Sequence, residues 1–368
     1  MTSRERVYLA LQHKEADRVA IHDSPWGTTV ARWHKEGLPE GQSADSYFGF
    51  EFRGFGGNNS LQLPTKVIEE TDEYVIATTQ DGATQRNWKG RTTTPELINF
   101  SITTKAIWEE HKPRMAMNES RVDWENQLKA NRTACEAGDF CTMNFGPGFT
   151  KICNMVGPER TLMAMIDDPA WVKDMFMTDA QVCVDIAEEM MGRGCEFHAG
   201  WIFDDLGFKH KGFFSTAMYR ELLMPAHKLI CDCFKSRGIP MLLHSCGYVT
   251  EFFPLFIEAG FDCIQPLEVK AGNDMLELKK QYGNVLSFMG GIDVRMMASV
   301  AVVRNRRFLT TASPDPDDIV REISTKLPAV KRGGGYIYHS DHSVPDNVSF
   351  QQYCRVMELV EEYGKFDS

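Results

Sequence analysis

The chain contains no long apolar run. Among its 368 residues, no uncharged hydrophobic stretch approaches the roughly 18 residues that are needed to span a bilayer. Residues 1–6 continue directly into a helix-like pattern, without the features of a secretory signal peptide. We therefore expect a cytoplasmic protein without a membrane partner.

The sequence also lacks the dense cysteine framework of a small secreted domain. Its ten cysteines are scattered, and several lie in apolar or helical patterns. In a reducing compartment such residues remain free thiols or act as metal ligands. We expect the same here, with no disulfides.

An excess of positive charge is missing as well. Forty Lys and Arg residues stand against 51 Asp and Glu residues, which gives a formal net charge of -11. Binding to nucleic acid requires a basic face, so no nucleic-acid partner is expected. Neither a Gly-x-Ser-x-Gly motif nor a Ser-His-Asp signature is present, which agrees with a reaction that needs no nucleophile from the chain.

The order of the predicted elements divides the chain in two. Residues 1–130 have a mixed pattern, including a β-hairpin within 67–88 whose turn is Asp81-Gly82. We interpret them as an α+β extension that caps the mouth of a barrel formed by the rest of the chain. Residues 131–368 alternate strand and helix, which favours parallel strands. The predicted strands of this part are 140–145, 196–203, 240–244, 262–265, 285–289 and 335–338, and a further strand at 18–22 belongs to the extension. The pattern predicts an α/β fold, a TIM (β/α)8 barrel in which one strand is hard to recognise.

Polar side chains follow five successive strands of this barrel. In chain order they include Asp204 and Asp205, His244 and Cys246, Gln265 and Glu268, Asp293, and finally His339, Asp341 and His342. Active sites of such barrels lie at the carboxyl ends of the strands. The coincidence predicts the functional site there.

His244 and Cys246 are the most informative pair. Residues i and i+2 of an extended segment point to the same side, so the imidazole and the thiol can converge on one ion. Nitrogen and thiolate ligands suit zinc. The alternative is a buried pair that holds no metal.

Several motifs together resemble the uroporphyrinogen decarboxylase superfamily. They are Leu-Gln-His-Lys-Glu-Ala-Asp-Arg-Val at 11–19, Asp-Asp-Leu-Gly at 204–207, His-Ser-Cys-Gly at 244–247, Pro-Leu-Glu at 266–268, Gly-Gly-Ile-Asp at 290–293 and Asp-His-Ser-Val-Pro-Asp at 341–346. The resemblance extends over nearly the whole chain and implies a TIM barrel.

Two chemistries are known in this superfamily. The decarboxylases use an arginine-rich stretch near the amino terminus to bind the carboxylates of a tetrapyrrole, and they need no metal. Residues 21–29 of this chain contain no arginine at the comparable place, and bidentate guanidinium recognition is hard to replace. A decarboxylase therefore remains an alternative, as does a non-catalytic barrel.

The other branch comprises zinc-dependent, corrinoid-linked methyltransferases. The resemblance of this chain to that branch implies a zinc ion held by His244, Cys246 and a distal ligand. The distal ligand is often a cysteine; in this chain it is His342, with His339 or Glu268 as alternatives. The resemblance further implies demethylation of a small methylated substrate, for example an aryl methyl ether. The methyl acceptor is then a Co(I) corrinoid (cobalamin) on a partner protein.

The remaining candidate residues have assigned roles and simpler alternatives. Asp205, Glu268 and Asp341 are candidates for catalysis, and Asp204, Asp293, Tyr336 and Trp26 for substrate binding. Asp205 could instead cap a helix or pair near Lys209, Asp293 could be a helix cap, and Trp26 could belong to the core. The sequence leaves the oligomeric state open, a homodimer being one option.

Overall fold

The computed structural model describes residues 1–90, 92–298 and 316–366. The strands are β1 Ala20–Ile21, β2 Phe52–Phe55, β3 Val67–Glu70, β4 Tyr74–Thr78, β5 Ala83–Trp88, β6 Glu96–Phe100, β7 Phe140–Phe145, β8 Ala199–Phe203, β9 Met241–His244, β10 Cys263–Gln265, β11 Ser287–Met289 and β12 Tyr336–Tyr338.

The helices alternate with the later strands, as the sequence pattern predicts. They are α1 Ser3–Leu11, α2 Gly27–Glu36, α3 Ala44–Phe48, α4 Lys105–His111, α5 Trp124–Ala137, α6 Phe149–Val156, α7 Pro158–Asp167, α8 Pro169–Gly192, α9 Thr216–Met218, α10 Met224–Lys235, α11 Phe253–Ala259, α12 Met275–Tyr282, α13 Pro316–Lys331 and α14 Phe350–Gly364. A π-helical turn, Tyr219–Leu223, joins α9 to α10. The helix expected over 315–330 corresponds to α13, although its first residue, Asp315, lies outside the described residues.

Eight strands form one sheet in the order β1-β12-β11-β10-β9-β8-β7-β2. Read from the β2 end, the strands β2 and β7 to β12 follow one another in chain order, and β1 comes last. Pairings within it, such as β7 with β8 and β11 with β12, are parallel. Chain order with parallel pairing is the arrangement of a (β/α)8 barrel, so the predicted fold class is confirmed. The sequence pattern missed β2, and it assigned the strand that contains β1 to the extension instead of the barrel.

The chain divides into two compact units. One comprises Met1–Phe52 with Cys263–Ser368, and the other is Arg53–Asp262. The sheet draws strands from both sides of residue 130, because β1 and β2 precede it. The expected division into 1–130 and 131–368 stays a prediction.

A second, antiparallel sheet lies in the unit Arg53–Asp262. Its order is β3-β4-β5-β6. Strands β4 and β5 form the predicted hairpin, with Thr78 opposite Thr84 at the turn. The sequence pattern did not separate β3 and β6 as further strands.

The core follows from the apolar strands. Met241, Leu242 and Leu243 are fully buried in β9, as are most side chains of β7 and β11. Helix α8 begins with Pro169, and the Asp168 side chain accepts a hydrogen bond from Trp171 N at 3.2 Å, a favourable N-terminus. All ten cysteines are free thiols.

No helix in the described part of the chain is both long and apolar enough to cross a membrane.

Candidate metal centre

Three potential ligand side chains meet after β8 and β9. His244 is the last residue of β9, Cys246 follows two residues later, and Asp205 lies just beyond β8. His244 Nε2 lies 3.4 Å from Cys246 Sγ and 3.4 Å from Asp205 Oδ1. Among the described residues, these three form the group of His, Cys, Asp or Glu side chains whose ligand atoms all lie within 4.8 Å of one another. All three belong to the unit Arg53–Asp262.

The spacing of these atoms fits a zinc ion. With Zn–S of about 2.3 Å and Zn–N or Zn–O of about 2.1 Å, tetrahedral ligands are separated by about 3.6 Å for sulfur and nitrogen, and by about 3.4 Å for nitrogen and oxygen. The two observed separations of 3.4 Å differ from these values by at most about 0.2 Å. One thiolate and one carboxylate would also offset the charge of a divalent cation. The donor set is therefore suitable for zinc.

The cluster is accessible from solvent. The His244 side chain is 23% exposed and the Asp205 side chain 44% exposed. A structural zinc site is normally closed by four protein ligands, whereas a catalytic site has three and keeps one position open. Three accessible donors correspond to the second kind.

Electrostatics in the cluster favour a cation. Burial alone would lower the pKa of His244, but the adjacent Cys246 and Asp205 raise it well above its usual value. Burial alone would raise the pKa of Asp205, but hydrogen bonds and charge from His244, together with Cys246, lower it. The field that favours a proton on His244 also favours a metal ion, which must displace that proton.

Hydrogen bonds to backbone amides hold the segments that carry Asp205 and Cys246 in place. Cys246 N donates to Asp205 Oδ1 at 2.8 Å, and Asp205 N donates to Thr150 Oγ1 at 2.9 Å. Leu206 N donates to the buried Ser245 Oγ at 2.9 Å. Such partners orient metal ligands and tune their affinity. Thr150 and Ser245 are supporting residues that the sequence pattern did not indicate.

An aromatic surface adjoins the cluster. The half-buried ring of Phe203, the last residue of β8, lies 5.3 Å from the His244 ring between centroids. Trp201 stacks on Phe203 at 4.9 Å. Side chains at i and i+2 of a strand share one face, which explains why both rings lie together.

Asp204, in the same unit, binds backbone and side-chain groups of the protein itself. Its side chain is buried and accepts hydrogen bonds from Phe149 N at 3.0 Å and Thr150 N at 2.7 Å, at the start of α6. His227 Nε2 lies 3.2 Å from Asp204 Oδ2, and Tyr219 Oη lies 3.1 Å from His227 Nδ1. Asp204 thus stabilises a helix N-terminus from outside the helix, and its predicted contact with substrate stays a prediction.

The candidates beyond β11 and β12 lie in the other unit. Asp341 is buried and accepts hydrogen bonds from Val269 N at 2.9 Å and Val294 N at 2.8 Å. Burial raises its pKa to about 6. Asp293 accepts a hydrogen bond from Arg295 N at 2.9 Å, as a cap does, so the simpler alternative for this residue describes its contacts.

Glu268 and Tyr336 are also in that unit. Glu268 lies 3.5 Å from Lys270 Nζ, with 13% of its side chain exposed. Tyr336 is buried, and its hydroxyl donates to the Gly290 carbonyl at 2.8 Å. Their predicted roles in catalysis and substrate binding stay predictions.

Trp26 and His342 are neighbours within the same unit. Their rings meet edge to face with centroids 6.2 Å apart, and both side chains are partly exposed. Trp26 is therefore not a fully buried core residue, and its predicted contact with substrate stays a prediction.

Buried polar side chains surround Asp23, which lies two residues after β1. The sequence analysis did not identify Asp23 as a candidate. Ser340 Oγ donates to Asp23 Oδ2 at 2.6 Å, and Tyr353 Oη does so at 2.7 Å. His339 Nδ1 lies 3.7 Å from Asp23 Oδ1. The position of an acid directly after a strand is the signal that could have identified it.

The structure thus brings His244 and Cys246 together as their spacing predicts. It adds Asp205, for which the sequence suggested only a catalytic role. His342, His339 and Glu268 are not members of the three-residue group, and the choice of His342 as the third ligand stays a prediction. The adjacency of β8 and β9 in chain order was the available signal for Asp205.

Fold and site together define a (β/α)8-barrel protein with a candidate metal centre at the carboxyl ends of its strands. Residues 133–363 match the family described as uroporphyrinogen decarboxylase (URO-D). The chain belongs to this family. Among curated proteins, no sequence match was found.

A solved structure shows the likeness in fold. A methyltransferase from Methanosarcina mazei is 14% identical, with 99% of each chain covered and a TM-score of 0.66. An endo-beta-1,4-xylanase from Gloeophyllum trabeum is 7% identical, with 66% of this chain and 82% of that chain covered and a TM-score of 0.40. The first supports the barrel over the whole length of the chain.

Proposed function

We propose that this protein is a zinc-dependent methyltransferase of the URO-D family. It moves a methyl group from a small methylated substrate, such as an aryl methyl ether, to the Co(I) corrinoid of a partner protein. The observation that carries this proposal is the accessible group of Asp205, His244 and Cys246, whose atoms are spaced as zinc ligands. Decarboxylation in this family needs no metal, so it would not require this group of three ligand side chains.

The residues of the cluster have separate tasks in this proposal. Cys246, His244 and Asp205 hold the metal, and Thr150 and Ser245 keep the ligand-bearing segments in place through the hydrogen bonds described above. When bound, zinc supplies a Lewis acid that stabilises negative charge on the leaving atom of the methyl donor. The Phe203 ring beside His244 offers an apolar surface on which an aromatic donor can stack.

Metal analysis tests the first half of the proposal. We expect about one zinc per chain in protein purified from zinc-containing medium, and its loss in Cys246→Ala. Cys233→Ala is the matched control, because Cys233 is a partly exposed cysteine of α10 outside the cluster. A folded wild-type protein that does not bind zinc would contradict the proposal.

An activity assay tests the second half. Co(I) cobalamin is offered as the methyl acceptor together with methoxylated aromatics, methylamines or betaines, and methyl-cobalamin is measured by its absorbance. Cys246→Ala should lower the rate at least about 100-fold, since a Lewis acid contributes several kcal/mol to the barrier. Zinc binding without methylation by any of these donors would restrict the conclusion to a metal site and overturn the assigned reaction.

The identity of the third ligand can be tested with two variants. Asp205→Asn removes the carboxylate of the observed group, and His342→Ala removes the ligand that the family resemblance implies. We expect Asp205→Asn to weaken zinc binding at least about tenfold in a competition titration, and His342→Ala to leave it unchanged. The opposite result would assign the ligand to His342.

A further inference from the structure

Two cysteines of the unit Arg53–Asp262 lie close together, away from the metal cluster. Cys135 is in the last turn of α5 and Cys141 is the second residue of β7, and their sulfur atoms are 3.5 Å apart. Only Gly138 and Asp139 separate the helix from the strand. Since β7 and β8 are parallel, the start of β7 lies at the opposite end of the strands from the cluster.

Helix α5 is fixed to the segment before β8, one turn earlier than Cys135. The buried Asn131 accepts a hydrogen bond from Glu196 N at 2.8 Å and donates to the Glu196 carbonyl at 2.9 Å. The Cys135 sulfur itself lies 3.8 Å from that carbonyl. Because the Asn131 amide uses both its donor and its acceptor on one residue, it fixes the position of the helix around Cys135.

Cys141 is held from the strand side. Its N–H donates to His198 Nδ1 at 2.8 Å, and His198 N donates to the Cys141 carbonyl at 2.8 Å. Strands β7 and β8 continue this contact, beginning with Thr142 opposite Ala199. Cys141 is fully buried, whereas Cys135 is partly exposed. A reagent in solvent therefore meets Cys135 first.

A disulfide requires little movement at this place. The S–S bond is about 2.05 Å long, so the two sulfur atoms need to approach by about 1.5 Å from their separation of 3.5 Å. Small rotations about the two Cα–Cβ bonds supply such a displacement. Because both backbones are held in place, each thiol meets the other at a high effective concentration.

We propose that Cys135 and Cys141 form a thiol-modification site, which low-molecular-weight disulfides such as oxidised glutathione convert to an intramolecular disulfide. The Cys135 thiolate attacks one sulfur of the reagent, forms a mixed disulfide and releases one thiolate. The Cys141 thiolate then attacks the Cys135 sulfur and releases the second. Two protein thiols are oxidised, one reagent disulfide is reduced to two thiols, and the protons of the protein thiols pass through solvent to those products.

The modification is reversible and local. Excess reduced thiol reverses both steps. The disulfide joins the end of α5 to the start of β7 across residues 138–139, so amide exchange in this connection should be slower in the oxidised protein. The inference does not rest on the proposed function, because it involves neither Cys246 nor a metal.

Peptide mapping detects the disulfide directly. Trypsin cleaves after Arg132 and Lys151, so both cysteines lie in the peptide 133–151, which contains no other cysteine. The full-length protein is incubated with oxidised glutathione, denatured, alkylated and digested without reduction. We expect peptide 133–151 to be lighter by two hydrogen masses and to carry no alkyl group. After treatment with dithiothreitol it should carry two.

Variants separate the two steps. In Cys141→Ala, the mixed disulfide of Cys135 with glutathione should accumulate at least about tenfold above its level in the wild type, because the second thiol is missing. Cys135→Ala should prevent modification of this peptide, since the buried Cys141 is out of reach of the reagent. Cys233→Ala is the matched control, a partly exposed cysteine of α10, and should form the disulfide as the wild type does. Circular dichroism verifies that each variant is folded.

Two results would overturn the proposal. One is a wild-type peptide 133–151 that carries two alkyl groups after oxidation, at a reagent concentration that modifies Cys233. The other is a disulfide from Cys135 to Cys195, which would appear as a cross-link between peptides 133–151 and 194–209. A lack of zinc or of methyl transfer leaves the mass of peptide 133–151 unaffected, so this proposal and the proposed function fail independently.

Discussion

Asp179 is a buried carboxylate with an unusual ionisation. It lies on α8, fully buried, and accepts hydrogen bonds from Gly148 N at 3.1 Å and from Asn59 Nδ2 at 3.0 Å. Burial raises its pKa from 3.8 to about 7, and the nearby Lys151 offsets only part of that effect. The folded state therefore holds a proton on Asp179 over a pH range in which the unfolded chain has lost it.

This ionisation predicts a stability that depends on pH. The raised pKa contributes stability that is complete below the unfolded value and is lost as the pH rises through about 7. Asp179→Asn has no charge to bury, so its unfolding free energy relative to wild type should rise by about 2 kcal/mol between about pH 5 and pH 8. Urea unfolding at both pH values measures it. Asp232→Asn, an exposed control on α10, should follow the wild type, and parallel curves for Asp179→Asn would refute the assignment.

At the scale of elements, α6 takes its N-terminal stabilisation from another part of the chain. Its N-cap, Gly148, has no side chain, and Asp204 after β8 accepts the Phe149 and Thr150 amide hydrogens instead. His227 contacts the same carboxylate. This arrangement joins α6, β8 and α10 through one buried acid.

Removal of that acid should be costly. We expect Asp204→Ala to lower the free energy of unfolding by about 3 kcal/mol, because two backbone donors and an imidazole lose a charged partner. Asp204→Asn keeps one acceptor and should lose less. Asp232→Ala removes an exposed ion pair with Lys228 and should change stability by less than about 0.5 kcal/mol. Chemical denaturation compares the three, and a loss for Asp204→Ala as small as that of the control would contradict this role.

The contact between Gly247 and Gly207 can be separated from backbone strain. Gly247 has φ of 79°, and a Cβ atom there would lie 2.2 Å from the Gly207 carbonyl carbon. Gly238 has a similar φ of 71° but no atom within 4 Å of such a Cβ. Both positions impose the left-handed conformation, and only Gly247 adds a clash with backbone.

We therefore expect different effects of alanine at the two sites. Gly238→Ala should cost about 1 kcal/mol and leave zinc binding intact. Gly247→Ala should cost several kcal/mol, or displace the Cys246 segment and weaken zinc binding. Thermal unfolding and zinc titration measure both. Equal behaviour of the two variants would show that the close approach has no consequence.

For the whole molecule, the position of the cluster has consequences for stability. All three observed donors lie in the unit Arg53–Asp262. An ion that binds only the folded protein stabilises it in proportion to the logarithm of its concentration. Zinc is therefore expected to stabilise that unit.

Metal removal tests this expectation. Free zinc at 100 times Kd should add about 2.7 kcal/mol to the unfolding free energy, and a chelator should lower the melting temperature. Cys246→Ala should be insensitive to both treatments. Amide exchange on metal removal should increase in Arg53–Asp262 first. An equal increase in the unit containing His342 would favour that residue as a ligand.

Much of the architecture could be predicted from the chain alone. Buried apolar runs such as residues 241–243 end at polar residues, and their alternation with helices is sufficient to indicate a parallel barrel. Residues 52–55 of β2 were missed, because Phe-Arg-Gly-Phe carries no long apolar run. The pairing of His244 with Cys246 was predictable, since two-residue spacing on an extended segment is a local property.

Only the tertiary structure decided the roles of Asp204 and Asp205. They are adjacent and chemically identical, yet Asp204 is buried at the start of α6 while Asp205 meets His244 and Cys246. Adjacent side chains of an extended segment point to opposite sides, and which side faces a helix or a ligand pair depends on strand neighbours that are distant in sequence. The sequence by itself determined the fold class and the local pair of donors. The third donor and the buried partners were decided by packing, because those contacts join residues far apart along the chain.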